Sequence, residues 1–317
     1  MPHVLLAALL SIGGLTCVTA TPADSVEPGL SQASRQTATS PPPSSGVMPP
    51  REDDSVRFAI IGDTGTGTKS QYEIAAQMTK ARAVFPFEFV IMLGDNIYGS
   101  ERPQDFVAKF EKPYQALLDA KVPFYASLGN HDDPTQRFYR LFNMNGERYY
   151  TYTKGNARFF VLDSNYMDQP QLKWLDEQLS RSTDRWKIAY FHHPLYSSGD
   201  RHGSEVDLRS QVEPLFIKYG VDVVFAGHEH FYERIKPQNG IYYFTQGGSA
   251  KLRKGNINRG ALTAAGFDTD FSFTLAELGK DAMQFQTLSR LGKPIDSGTL
   301  TLAEEPKRAT ESTPSAR

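Results

Sequence analysis

The sequence predicts an α/β fold built from βαβ units, and three observations point to it. Short β-rich runs alternate with stretches of helical spacing, several of those runs are nearly continuously apolar, and the residues that follow them are polar. Uninterrupted apolar runs suit strands buried on both faces, and helices between strands suit parallel pairing.

The first strand is expected over residues 57–61, where Arg-Phe-Ala-Ile-Ile is rich in β-formers, and a helix follows over 69–83. A strand at 88–92 leads to a helix over 104–120 and a strand at 123–127. Strands at 157–162, 186–190 and 222–225 are separated by helices over 170–180 and 206–219. Runs at 240–246, 271–278 and 282–288 have no helices between them, which predicts a second sheet, mixed or antiparallel.

The chain has 317 residues, 39% hydrophobic, 12% aromatic and 22% charged, which excludes a disordered polymer and allows a sizeable core. Thirty-four Lys plus Arg against 36 Asp plus Glu give a net charge of -2, so no broad attraction to nucleic acid or anionic lipid is expected. Cys17 is the single cysteine, which removes disulfide frameworks and thiolate metal sites. Residues 1–20 read as a signal peptide: an apolar run over 4–15 precedes Val18-Thr19-Ala20, with cleavage after Ala20. Residues 21–54 are rich in Pro, Ser and Thr and read as a disordered linker, 55–302 as the catalytic domain, and 303–317 as a disordered tail. No stable membrane association is expected after cleavage.

Ligands of open α/β sheets bind beyond the carboxyl ends of the strands, and there the sequence concentrates metal-type donors. The loops read Gly62-Asp63-Thr64-Gly65, Gly94-Asp95-Asn96-Ile97-Tyr98, Gly129-Asn130-His131-Asp132, His192-His193-Pro194 and Gly227-His228-Glu229-His230, with His202 just beyond the fourth. Oxygen and imidazole donors without a thiolate, in a number exceeding the needs of one tetrahedral ion, suit two cations sharing a carboxylate. Such pairs serve in-line displacement at phosphorus. Nucleotide-loop readings fail, because Thr68 separates Gly67 from Lys69 and Ser70 stands where a last glycine is needed. The zinc-protease pattern fails at Tyr232, which occupies its second histidine position.

Taken in this order, the five loops resemble the calcineurin-like metallophosphoesterases, and the G-D-x-x-Y spacing that ends at Tyr98 resembles their purple acid phosphatase branch, most of all its small, tartrate-resistant type. The resemblance covers residues 57 to about 300. It implies a four-layer α/β sandwich of two mixed β-sheets flanked by helices. It also implies that Asp63, Tyr98 and His230 hold Fe(III), while Asp95 bridges to a second divalent ion (Fe, Zn or Mn) held by Asn130, His192 and His228. By the same resemblance His131 and His202 are catalytic, contacting phosphate and protonating the leaving group. His193 stays open between an outer partner of the ligands and a packed histidine. Glu229 is either a tuner of metal affinity or a polar loop residue, and the basic stretch 251–254 is read as a solvated loop, with contact to an anionic substrate as the alternative. Tyr139, Tyr196 and Tyr232 are expected to pack in the core rather than line a substrate rim. The stretch 133–150 is too short for the inhibitory loop of the animal enzymes, so no proteolytic activation is expected.

The function implied is an exported acid phosphatase, periplasmic or secreted, that hydrolyses small phosphate monoesters with a metal-bound hydroxide as nucleophile. The alternatives are a phosphodiesterase or nucleotide-hydrolysing relative, and a non-catalytic metal-binding surface module.

Overall fold

The computed structural model describes residues 46–302. The expected signal peptide, Cys17, most of the linker and the 303–317 tail lie outside the described residues. In chain order the elements are β1 (Val56–Ile61), α1 (Lys69–Arg82), β2 (Phe89–Met92), α2 (Pro103–Phe106), α3 (Gln115–Asp119), β3 (Phe124–Ala126), β4 (Tyr150–Lys154) and β5 (Ala157–Val161). They continue with α4 (Gln169–Arg181), β6 (Trp186–Phe191), α5 (Val206–Tyr219), β7 (Val223–Ala226), β8 (Tyr232–Ile235) and β9 (Tyr242–Gln246). The last four strands are β10 (Thr263–Phe267), β11 (Ser272–Leu278), β12 (Ala282–Ser289) and β13 (Pro294–Thr301).

The strands form two mixed sheets, ordered β13-β12-β11-β1-β2-β3 and β10-β8-β9-β7-β6-β5-β4. Pairing is parallel along β1-β2-β3 and along β5-β6-β7-β9, and antiparallel elsewhere. Chain order alone places the late strands in a sheet of their own. Instead β11 pairs antiparallel with β1 while β9 extends the other parallel core beside β7, and the antiparallel neighbours of that core are β8 and β4.

Alternation along the inner strands separates the layers. Phe159 and Val161 of β5, with Ile188 and Tyr190 of β6, pack in the core that also holds Phe58 and Phe89 of the other sheet. Their neighbours Phe160, Ala189 and Phe191 point the other way, onto Leu175 and Leu179 of α4 and Val212 and Phe216 of α5. Phe58 stacks on Phe89 at 5.2 Å and meets Phe159 edge-on at 5.5 Å, which ties the sheets face to face.

The single helix expected over 104–120 is broken into α2, a π-helical turn Val107–Glu111 and α3. Pro113 is the cause, since it has no N–H and its ring excludes the i−4 carbonyl. That carbonyl, of Lys109, accepts instead from the Gln71 amide. The linker also ends earlier than residue 54. Met48 N donates to Gln286 Oε1 at 2.8 Å, and the amides of Arg51 and Glu52 and the Ser55 hydroxyl donate to Glu277. Glu277 is a buried carboxylate on β11 and needs such donors.

Candidate metal centre

Strands β1, β2 and β3 of one sheet and β6 and β7 of the other release their loops at one edge, and backbone hydrogen bonds lace those loops together. Asp63 N donates to Gly94 O at 3.1 Å, Thr64 N to Asp95 O at 3.2 Å and Gly227 N to His192 O at 2.9 Å. Asp63, Asp95 and His228 hold left-handed backbone, with φ of 55°, 52° and 67°. Non-glycine residues reach that region at a cost, and they persist there where surrounding contacts over-determine them. Gly94 has φ of 84°, and a Cβ there would lie 2.7 Å from both Gly129 N and His192 Nδ1.

The donors form two groups. In the first, Tyr98 Oη donates to Asp63 Oδ1 at 3.0 Å, and His230 Nε2 lies 3.3 Å from that oxygen and 3.4 Å from the phenol. In the second, Asn130 Oδ1 lies 2.9 Å from His192 Nε2 and 3.0 Å from His228 Nδ1, and the two ring nitrogens are 3.1 Å apart. Asp95 belongs to both: it clusters with Asp63 and His230, and its Oδ1 lies 3.5 Å from His192 Nε2. His193 joins His192 and His228 within ligand spacing, while its Nδ1 pairs with the Ser164 hydroxyl at 2.9 Å.

This donor set fits a pair of cations. His192 Nδ1 faces Leu93 O at 2.8 Å, and a carbonyl only accepts, so Nδ1 carries the proton and Nε2 presents a lone pair to the oxygens of Asn130 and Asp95. Neighbouring donors on an octahedral ion with bonds near 2.1 Å are about 3 Å apart, which is the spacing in both groups. Electrostatics point the same way. Burial, and then the Asp95 carboxylate, raises the Asp63 carboxyl well above its usual range, and burial with both carboxylates raises the Tyr98 phenol. Burial drives His192 well below its usual value, His228 down to about 2 and His230 down to about 3. Neutral imidazoles and crowded carboxylates are what positive ions satisfy.

A pH dependence follows. The folded Asp63 carboxyl has a raised pKa, so in metal-stripped protein the proton it binds stabilises the fold at acid pH, and that contribution is lost as pH rises through the raised value. Metal must displace this proton. The gain in Tm on metal loading is therefore expected to be small near about pH 5 and larger near about pH 7. Calorimetry of stripped and reloaded protein checks it, and a gain that shrinks with rising pH contradicts the assignment.

His131 and His202 flank the two groups. His131 N donates to Asp95 Oδ1 at 3.0 Å and its ring sits 4.9 Å from the Tyr98 ring, while His202 stacks on His228 at 4.3 Å. Glu229 is neither exposed nor idle. Its Oε1 accepts from His202 N at 3.2 Å and Gly203 N at 2.9 Å, so it holds the loop that presents His202. Asp132 went without a role in the sequence. Its carboxylate accepts from the amides of Asn96 at 2.8 Å, Ile97 at 3.1 Å and Gly129 at 2.8 Å, and so pins the Asp95 loop to the Asn130 loop. Tyr139, Tyr196 and Tyr232 turn their hydroxyls to Glu111, Glu213 and Asp296 within the body. Beside His193 a cleft of about 380 Å³ is lined by Asn130, Ser164, Asn165, Tyr166 and Glu205 among others.

Residues 56–232 match the family described as calcineurin-like phosphoesterase, a span that includes every residue of both donor groups. The chain belongs to the calcineurin-like phosphoesterases. Among curated relatives, this calcineurin-like phosphoesterase is 29% identical to purple acid phosphatase 17 of Arabidopsis thaliana over 250 residues, covering 67% of this chain and 73% of that protein. It is 25% identical to human tartrate-resistant acid phosphatase type 5 over 236 residues, covering 61% and 72%. Among solved structures it resembles GAP50, the anchor in the inner membrane complex of Plasmodium, with a TM-score of 0.68 at 22% identity over 80% of this chain and 90% of that one. As a calcineurin-like phosphoesterase with purple acid phosphatase relatives, the chain is a metal-dependent phosphatase.

Proposed function

We propose that this phosphatase is an exported acid phosphatase acting on phosphate monoesters. The observation that carries the proposal is the pairing of a Tyr98, Asp63 and His230 set with an Asn130, His192 and His228 set across Asp95. In this reading the first set holds Fe(III) and the second a divalent Fe, Zn or Mn. Tyrosinate is a hard donor that suits the trivalent ion, and the amide oxygen of Asn130 adds no charge to the second. When bound, the ions would acidify water and neutralise the phosphoryl oxygens. The chain's own residues orient and move protons. His131 and His202 stand on either side of the donors, where a protonated imidazole donates to the departing oxygen. Glu229 keeps His202 over His228 through the two amides it binds.

Residues 55–302 act as the catalytic domain, and the short apolar run before Ala20 supports export. A non-catalytic module has no use for two histidines poised beside the donors. The deciding experiment compares an aryl phosphomonoester with its diester from about pH 4 to about pH 9 on metal-replete protein lacking its first 20 residues. Strong monoester preference with an acidic optimum is expected. Diester preference establishes the phosphodiesterase instead, and no turnover of either supports the module.

Tyr98→Phe tests the iron assignment. The iron-loaded protein is expected to lose its visible absorption band and keep part of its turnover, because the phenolate colours the ion while Asp63 and His230 still hold it. An unchanged band in the variant's spectrum removes Tyr98 from the ligand set.

A further inference from the structure

The 251–254 stretch is exposed at Lys254 and half-buried before it, and its backbone is held in place. Residues 197–204, after β6, and 251–258, after β9, are zipped together: Asp200 N donates to Asn256 O at 2.9 Å, Asn258 N to Ser198 O at 2.8 Å, and Gly199 pairs with Ile257. Arg253 N donates to His230 O at 3.0 Å and ties this frame to the metal loop. The frame holds two guanidinium groups beside one imidazole, with Arg201 Nε 3.3 Å from His202 Nε2 and Arg253 Nη1 3.4 Å from His202 Nδ1. Next to them opens a cleft of about 330 Å³ lined by Asp200, Arg201, Arg253, Lys254, Gly255 and Asn256. On the other flank Lys251 Nζ lies 4.3 Å over the Tyr98 ring.

The charge here is unbalanced. Arg253 reaches Glu229 Oε2 at 3.5 Å, but Arg201, Lys251 and Lys254 have no carboxylate within ion-pair distance among the described residues. A chain of net charge -2 has gathered Arg201, Arg253 and Lys254 in one cleft, with Asp200 the single carboxylate of its lining, one side chain away from the donors. Like charges held together in a cleft attract an anion to it. The cleft beside His193 has no lysine or arginine in its lining.

We propose that the Arg201, Arg253 and Lys254 cleft binds a second anionic group of the substrate, so that the preferred substrates are phosphomonoesters whose alcohol carries a carboxylate or a further phosphate. This rests on the monoesterase reading. The shared chemistry is an oxyanion that accepts from guanidinium groups, and a planar fork serves either kind.

The test uses three-carbon phosphomonoesters that differ at the far end: 3-phosphonooxypropanoate, the bisphosphate of 1,3-propanediol, 3-hydroxypropyl phosphate and 3-aminopropyl phosphate. Metal-replete protein is expected to turn over the two anionic compounds with kcat/KM about tenfold or more above the ammonium compound. The hydroxyl compound falls between, and the relative rates of the first two say which oxyanion is preferred. The ratio is expected to collapse toward unity in an Arg201→Gln, Lys254→Gln double variant, whose sites are exposed, and in about 0.5 M salt. Because a ratio is read, a loss common to all substrates cancels. Equal rates in the wild type, or a ratio that survives the double substitution, overturns the proposal. If none of the four is turned over the monoesterase reading falls, and calorimetric binding of 3-carboxypropyl phosphonate against butyl phosphonate still reads the cleft: tighter binding of the carboxylate supports it and equal binding overturns it.

Discussion

Asp95→Ala is expected to empty both metal positions and lower turnover by at least about 10³-fold. Among the described residues Asp95 is the carboxylate that reaches both donor groups, clustering with Asp63 and His230 on one side and facing His192 Nε2 at 3.5 Å on the other. Its Oδ1 also accepts the His131 amide at 3.0 Å, so its loss frees the backbone that presents Asn130 and His131. Losing an acceptor costs a fully buried amide about 1–3 kcal/mol, and the part-buried His131 amide loses less. The neighbouring Asp63 is at the same time relieved of a like charge. Stripped variant and stripped wild type should therefore melt at similar temperatures, while the loaded proteins differ. Metal analysis and calorimetry on the same samples separate the two effects. A variant that keeps two ions per chain and turns over near the wild-type rate removes Asp95 from the bridging position.

Gly129→Ala should be nearly as damaging although it removes no ligand atom. A Cβ at Gly129 would fall within the Asp95 amide and carboxylate, both fixed, and the Gly129 amide is itself held by Asp132 at 2.8 Å. Neither neighbour is the far end of a flexible chain, so one loop must shift. Forced overpacking of this kind destabilises by about 3 kcal/mol, and displacing a ligand by about 1 Å costs about 10²-fold in rate. Gly260→Ala is the control, because the nearest atom to its new Cβ would be 3.8 Å away. Full metal occupancy and an unshifted Tm in Gly129→Ala would show that the two loops have slack.

The strand positions were legible because buried strands leave continuous apolar runs, as at β1, β2 and β6. The same logic missed β13, whose Pro-Ile-Asp-Ser-Gly-Thr-Leu-Thr contains residues disfavoured in strands and is tolerated at the edge of its sheet. It also missed β4, half exposed at the other sheet's edge. Sheet membership was not legible at all from chain order, because β1 chooses β11 across more than two hundred residues and no local pattern encodes that partner. The ligand-type residues were visible through their position after strands. Their supports were not: Asp132 and Glu229 act through backbone amides of other loops, and a carboxylate's partner has no sequence signature when it is an N–H. The frame around the 251–254 basics was hidden for the same reason, since the pairing of Gly199 with Ile257 that fixes them joins distant segments.

Each donor group draws on both sheets. Asp63 and Tyr98 follow β1 and β2 while His230 follows β7, and Asn130 follows β3 while His192 and His228 follow β6 and β7. A growing chain halted before β7 therefore has no complete pocket for either ion, however well its first sheet has formed. Metal held by these groups would wait until His230 has left the ribosome. If the chain crosses a membrane unfolded, it must find both ions in the compartment where it folds, and the metal supply of that compartment decides which second ion it carries.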